Sequence, residues 1–77
     1  MDIKATLGQR IRTIRELKNI SQKDLAYGAD LDRTYIASVE CGKRNISIVN
    51  IEKIANALGV SLKEFFEDEG FTVKKEL

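Results

Sequence analysis

Four side chains within six residues, Arg33, Thr34, Tyr35 and Ser38, concentrate hydrogen-bonding chemistry in one short stretch. Arginine offers a planar fork of donors, threonine and serine a hydroxyl, and tyrosine a phenol on a flat apolar ring. Bond-making chemistry is poorly provided for. The 77 residues contain no histidine and one cysteine, Cys41, which leaves out His-based catalytic triads and the usual structural zinc sites. Twelve acidic residues are present, none beside a convincing nucleophile or a phosphate-binding loop. The residues are equipped to recognise rather than to react, and they imply no enzyme and no cofactor.

The charge balance points to the kind of partner. The formal net charge is only +1, but it is unevenly placed: residues 1–45 hold nine Lys or Arg against six Asp or Glu, and residues 46–77 hold four against six. A phosphate backbone responds to the local field, so the basic first half is where nucleic acid would be met. No apolar run is long enough to span a membrane, and no basic region followed by an apolar stretch opens the chain. A lone cysteine forms no intrachain disulfide and suits a reducing cytoplasm, which is the expected location.

The elements that must hold these residues are helical. Proline is absent, aromatics are 6%, and helix-forming residues dominate, which predicts an all-α domain. Leu7, Ile11, Ile14 and Leu17 form one stripe on a helix over about 3–18, with Arg10, Arg12 and Lys18 opposite. Ser21 reads as an N-cap with Asp24 in the capping-box position, opening a second helix at about 22–29. Asp32 caps a third over about 33–41, with Ile36 and Val39 inward and Gly42 as its stop. Ser47 opens a fourth at about 48–58, buried through Ile51, Ile54, Ala55 and Leu58. Ser61 opens a short fifth reaching about Glu67. The domain is expected over residues 1–67. Residues 68–77 form a charged tail, frayed or extended, with Phe71, Val73 and Leu77 as its large apolar groups.

Helices two and three are short and joined by about three residues, so they must cross steeply and support one another. A generic helical hairpin shares that spacing. The polar pattern separates the two readings. With Ile36 and Val39 inward, Arg33, Thr34 and Tyr35 face out, and the short side chains of Ala37 and Ser38 let the helix enter a groove. Arg suits a guanine edge, and Thr offers a methyl and a hydroxyl to thymine or adenine. A solvated helix face is the plainer alternative for Arg33 taken alone.

The words Ser21-Gln22-Lys23-Asp24-Leu25-Ala26, Leu31-Asp32-Arg33-Thr34-Tyr35-Ile36 and Val39-Glu40-Cys41-Gly42-Lys43-Arg44-Asn45 resemble the lambda-repressor/Cro-like (XRE) helix-turn-helix family. The likeness runs from about Leu7 to Phe66. Within that family, Leu-Asp-Arg-Thr-Tyr-Ile with a downstream Gly-Lys-Arg-Asn is similar to the controller proteins of type II restriction–modification systems. The resemblance implies a five-helix DNA-binding domain with base-reading roles for Arg33, Thr34 and Ser38, and a base or backbone contact for Tyr35. It implies a phosphate contact for Gln22 that also braces the third helix, a phosphate contact for Lys43, and an approach to phosphates and the operator centre for Arg44 and Asn45. Arg15 and Glu40 match a structural ion pair. It further implies a regulator of its own gene and of an endonuclease gene, activating at low occupancy and repressing at high, with RNA polymerase as a further contact.

Three positions depart from the family pattern. Asp30 stands where glycine is usual in the turn, which Asp tolerates in a left-handed conformation at some strain. Gly28 interrupts the second helix, a sign of close packing or of lost helix stability. Cys41 replaces a polar residue, with a tolerated substitution favoured over a redox role.

One recognition helix offers too few base contacts for specificity, so a two-fold homodimer on a palindromic operator is expected, with half-sites about 34 Å apart. Two dimers on tandem sites are a further expectation. Leu62, Phe65 and Phe66, with Ile48 or Val49, supply a candidate dimer face; the alternative is that the phenylalanines simply close the monomer core, and of the two neighbours one is expected inward and the other towards a partner. The rival readings are a phage-type repressor, the DNA-binding half of an antitoxin, and a protein-interaction module that has lost DNA binding.

Overall fold

The computed structural model describes residues 2–72, and these contain five α-helices and no strand. They are α1 (Ile3–Leu17), α2 (Gln22–Ala29), α3 (Arg33–Glu40), α4 (Ile48–Leu58) and α5 (Leu62–Phe66), followed by a 3₁₀ turn at Glu69–Phe71. Helix α2 packs on α3 and α4, α1 lies across α3 and α4, and α5 closes against α4.

Each helix starts where a short polar side chain replaces the missing backbone acceptor. Asp2, Ser21, Asp32, Ser47 and Ser61 accept from the amides of Ala5, Asp24, Thr34, Asn50 and Glu64 respectively. The full reciprocal pair forms at Ser61, whose own amide donates to Glu64 Oε1 at 3.1 Å. Asp24, one methylene shorter than glutamate, contributes its backbone amide to Ser21.

The first four helices end in the same way, on a residue in the left-handed region: Asn19 (φ 56°), Asp30 (φ 55°), Gly42 (φ 72°) and Gly59 (φ 75°). In each case the next amide reaches back to the last turn, as Leu31 does to Ala26 (2.9 Å) and Lys43 to Ser38 (3.1 Å). Asp30 thus adopts the conformation that its place in the α2–α3 turn demands.

The core comprises Leu7, Ile11, Ile14, Leu25, Ala26, Ala29, Ile36, Val39, Ile51, Ile54, Ala55, Leu58 and Phe65. Truncating one of the fully buried members, such as Ile11 or Leu58, removes about 2–5 kcal/mol. Four sequence readings change here. Leu17 is 77% exposed, because α1 ends at that residue and the chain turns away at Asn19 before any neighbour can cover it. Phe65 is fully buried within one chain and leaves the proposed dimer face for the core. Successive side chains on a helix diverge by about 100°, so its neighbour Phe66 stays half-buried and meets the Phe65 ring edge-on at 5.0 Å. Arg10 does not stand on a face opposite the packed one. Its guanidinium donates to the carbonyls of Phe65 (2.8 Å) and Glu64 (2.9 Å) and lies 3.6 Å from Asp68, holding the end of α5 onto α1. Glu69 to Phe71 are neither frayed nor extended: the 3₁₀ turn, capped by Asp68, lays Phe71 against Phe66. Val73 and Leu77 lie outside the described residues.

Candidate nucleic-acid interface

Asp30, Leu31 and Asp32 alone separate α2 from α3. Two eight-residue helices joined this tightly need outside support to keep their crossing angle. Part of it comes from one carboxylate. Arg15 on α1 donates to Glu40, the last residue of α3, through Nε at 2.7 Å and Nη2 at 2.9 Å. Its remaining nitrogen, Nη1, donates to the Ile20 carbonyl at 2.9 Å. The side chains are 12% and 3% exposed, so the pair is shielded, and the hydrogen bond to Glu40 raises the Arg15 pKa further above its ordinary value despite partial burial. Gln22, the first residue of α2, donates through Nε2 to the same carboxylate at 3.1 Å. One glutamate therefore ties α1, α2 and α3 together. A shielded pair of this kind fixes an arrangement more than it adds stability.

Arg33 and Thr34 are exposed at the first turn of α3, and Ser38 one turn on is half-buried beside Ala37. Ile36 and Val39 point into the core. Tyr35 is half-buried and held on two sides. Its hydroxyl accepts from Asn50 Nδ2 at 3.1 Å, and the Arg44 guanidinium lies over its ring at 5.4 Å. Lys43, Arg44 and Asn45 are exposed in the loop after Gly42. Exposed Cys41 is the C-cap residue of α3.

Three contributors escape a reading of the sequence. Asn50 sits on α4 and braces Tyr35 across 15 residues, while Arg10 reaches 55 residues to α5. Gly8 is the third: a Cβ there would lie 2.3 Å from the Val39 carbonyl oxygen and 2.8 Å from that of Glu40. Single polar or small residues on a helix carry no periodic signature of a distant partner. Gly28, by contrast, has only Ala57 Cβ within ordinary contact distance, 3.5 Å, so close packing does not account for it.

A family model described as helix-turn-helix matches residues 11–65. Control protein C.MunI from a Mycoplasma species is 48% identical over 68 residues, which cover 87% of this chain and 92% of that protein. The crystal structure of the restriction–modification controller protein C.AhdI from Aeromonas hydrophila superposes with a TM-score of 0.81 at 44% identity, over 86% of this chain and all of that one. The C.Esp1396I controller, solved as a tetramer with its natural 35 base-pair operator, matches with a TM-score of 0.79 at 43% identity, over 82% of this chain and 83% of that one. The chain belongs to the helix-turn-helix family and, within it, to the restriction–modification controller proteins, which are DNA-binding transcription regulators and not enzymes.

Proposed function

We propose that this chain binds a palindromic operator as a homodimer, two dimers occupying tandem sites, and so regulates its own gene and that of a restriction endonuclease. Arg33, Thr34 and Ser38 read base edges, Tyr35 adds a base or backbone contact, and Gln22, Lys43, Arg44 and Asn45 hold phosphates. The observation that carries this reading is the exposed Arg33–Thr34 pair at the start of a helix whose far end is locked by Arg15, Glu40 and Gln22. Positioned donors of this type discriminate bases, whereas the basic loop adds affinity that is blind to sequence. The C.Esp1396I complex supports the assembly, being a tetramer of a similar chain on an operator.

Phe66 and Leu62, half-buried, and Ile48 and Val49, 63% and 59% exposed, supply the dimer face. A cytoplasmic location and an RNA polymerase contact during activation complete the proposal; no helix among the described residues is long and apolar enough to cross a membrane. Footprinting on the DNA upstream of its own gene tests it, with sedimentation of the free protein alongside. Two protected, symmetric sites and a dimer are expected. A monomer, or protection without preference for any sequence, would count against it.

A further inference from the structure

We infer that Gly8 is a positioning residue for operator reading, setting the height of the recognition helix against the helix behind it. It is buried on α1, and its backbone lies against the last turn of α3 so closely that no side chain fits. The atoms that a Cβ would strike are the Val39 and Glu40 carbonyl oxygens and the Glu40 carbonyl carbon, at 2.3, 2.8 and 3.0 Å. All three are backbone, so relief requires α1 and the last turn of α3 to move apart. A second contact continues the seam one turn earlier: a Cβ on Gly42, just past the end of α3, would meet Ala5 Cα at 3.0 Å. Ala5 and Gly8, three residues apart on one face of α1, seat the end of the reading helix and its closing glycine.

What is seated there is the end of α3 that carries Glu40, whose carboxylate holds both Arg15 and Gln22. Opening a 2.3 Å approach to an ordinary contact displaces that end by on the order of 1 Å, more than the roughly 0.5 Å range over which hydrogen bonds remain good. The two halves of the interface, Gln22 on α2 and the Arg33–Thr34 pair on α3, would then no longer meet one duplex in the same register. Base readout, with its directional bonds, suffers from such a shift, while the salt-dependent attraction of Lys43 and Arg44 does not. This inference rests on α3 being the reading helix.

The test uses Gly8→Ala and two probes: a duplex recovered by in vitro selection with the wild-type protein, and a shuffled duplex of the same composition. The same folded fraction multiplies both affinities, so their ratio reads the placement of α3 rather than stability. Gly8→Ala is expected to lower that ratio at least tenfold. A lowered melting temperature with an unchanged ratio would overturn the inference and leave Gly8 a purely structural residue. If the single variant does not fold, the ratio is measured in the Gly28→Ala background; failure to fold there too overturns it, because Gly8 is then a requirement of the fold. A wild type that enriches no duplex would instead defeat the reading of α3 itself.

Discussion

Glu40 accepts from two side chains on two other helices, and what its removal costs follows from that double duty. Glu40→Ala leaves the Arg15 guanidinium shielded and without its counter-charge, a situation that costs about 3–5 kcal/mol when a buried partner is lost. A domain of this size holds only about 5 kcal/mol or slightly more, so urea unfolding should place the variant near the edge of folding. The double variant Arg15→Ala with Glu40→Ala should be less damaged than the two single losses summed, because the stranded charge is gone; strict additivity would mean that the pair does not interact. Lys43 predicts a different pattern. Its replacement by alanine should weaken binding to every duplex alike and reduce the slope of log affinity against log salt by about 1, as expected for one phosphate contact. Gly28 lies within a helix, with only ordinary contact to Ala57. Gly28→Ala should therefore raise stability by about 0.5–1 kcal/mol, read from the thermal midpoint.

The five helices were legible because their boundaries are written in local chemistry. Ser21, Asp32, Ser47 and Ser61 are short oxygen-bearing side chains ahead of apolar-periodic runs, and each accepts the amide bond that opens its helix. Asn19, Asp30, Gly42 and Gly59 mark the ends as left-handed positions. The site was legible in part for the same reason: the inward Ile36 and Val39 dictate which residues of α3 face out. Gly8, Arg10 and Asn50 were not, since each acts on a partner that only the tertiary packing supplies. Phe65 and Phe66 show the limit between two neighbours, where composition gives two large rings and packing alone decides which is inside. Phe66→Ala should shift sedimentation towards the monomer at a given concentration, with smaller loss of monomer stability than Phe65→Ala; equal dimerisation of both variants and wild type would remove Phe66 from the interface. The start of α5 carries a pH signature. The Ser61 amide donates to the Glu64 carboxylate and, with the Ser61 side chain beside it, holds its pKa below the usual range. Because the folded value is depressed, this contribution is present above the unfolded glutamate pKa and is lost as pH falls through the lower folded one. Glu64→Gln should flatten that part of the acid limb in melts taken across pH, an effect kept small by the full exposure of the carboxylate.

Across the whole chain, a basic first half carrying α1 to α3 and the loop after them is joined to an acidic second half that supplies α4, α5 and the proposed dimer residues. The basic excess of the first half supplies an attraction to phosphates that does not depend on base sequence. Affinity should therefore fall steeply with salt for any duplex, while selection between duplexes stays with α3. Arg33 separates the two contributions most cleanly, being exposed at the start of α3 and free of the locking network behind it. The decisive comparison is Arg33→Ala against wild type, binding the selected duplex and the shuffled one at the same salt concentration. A loss of about 1–3 kcal/mol on the selected duplex is predicted, with relaxed preference at a single base position and little change on the shuffled duplex. Equal losses on both would contradict base reading by α3.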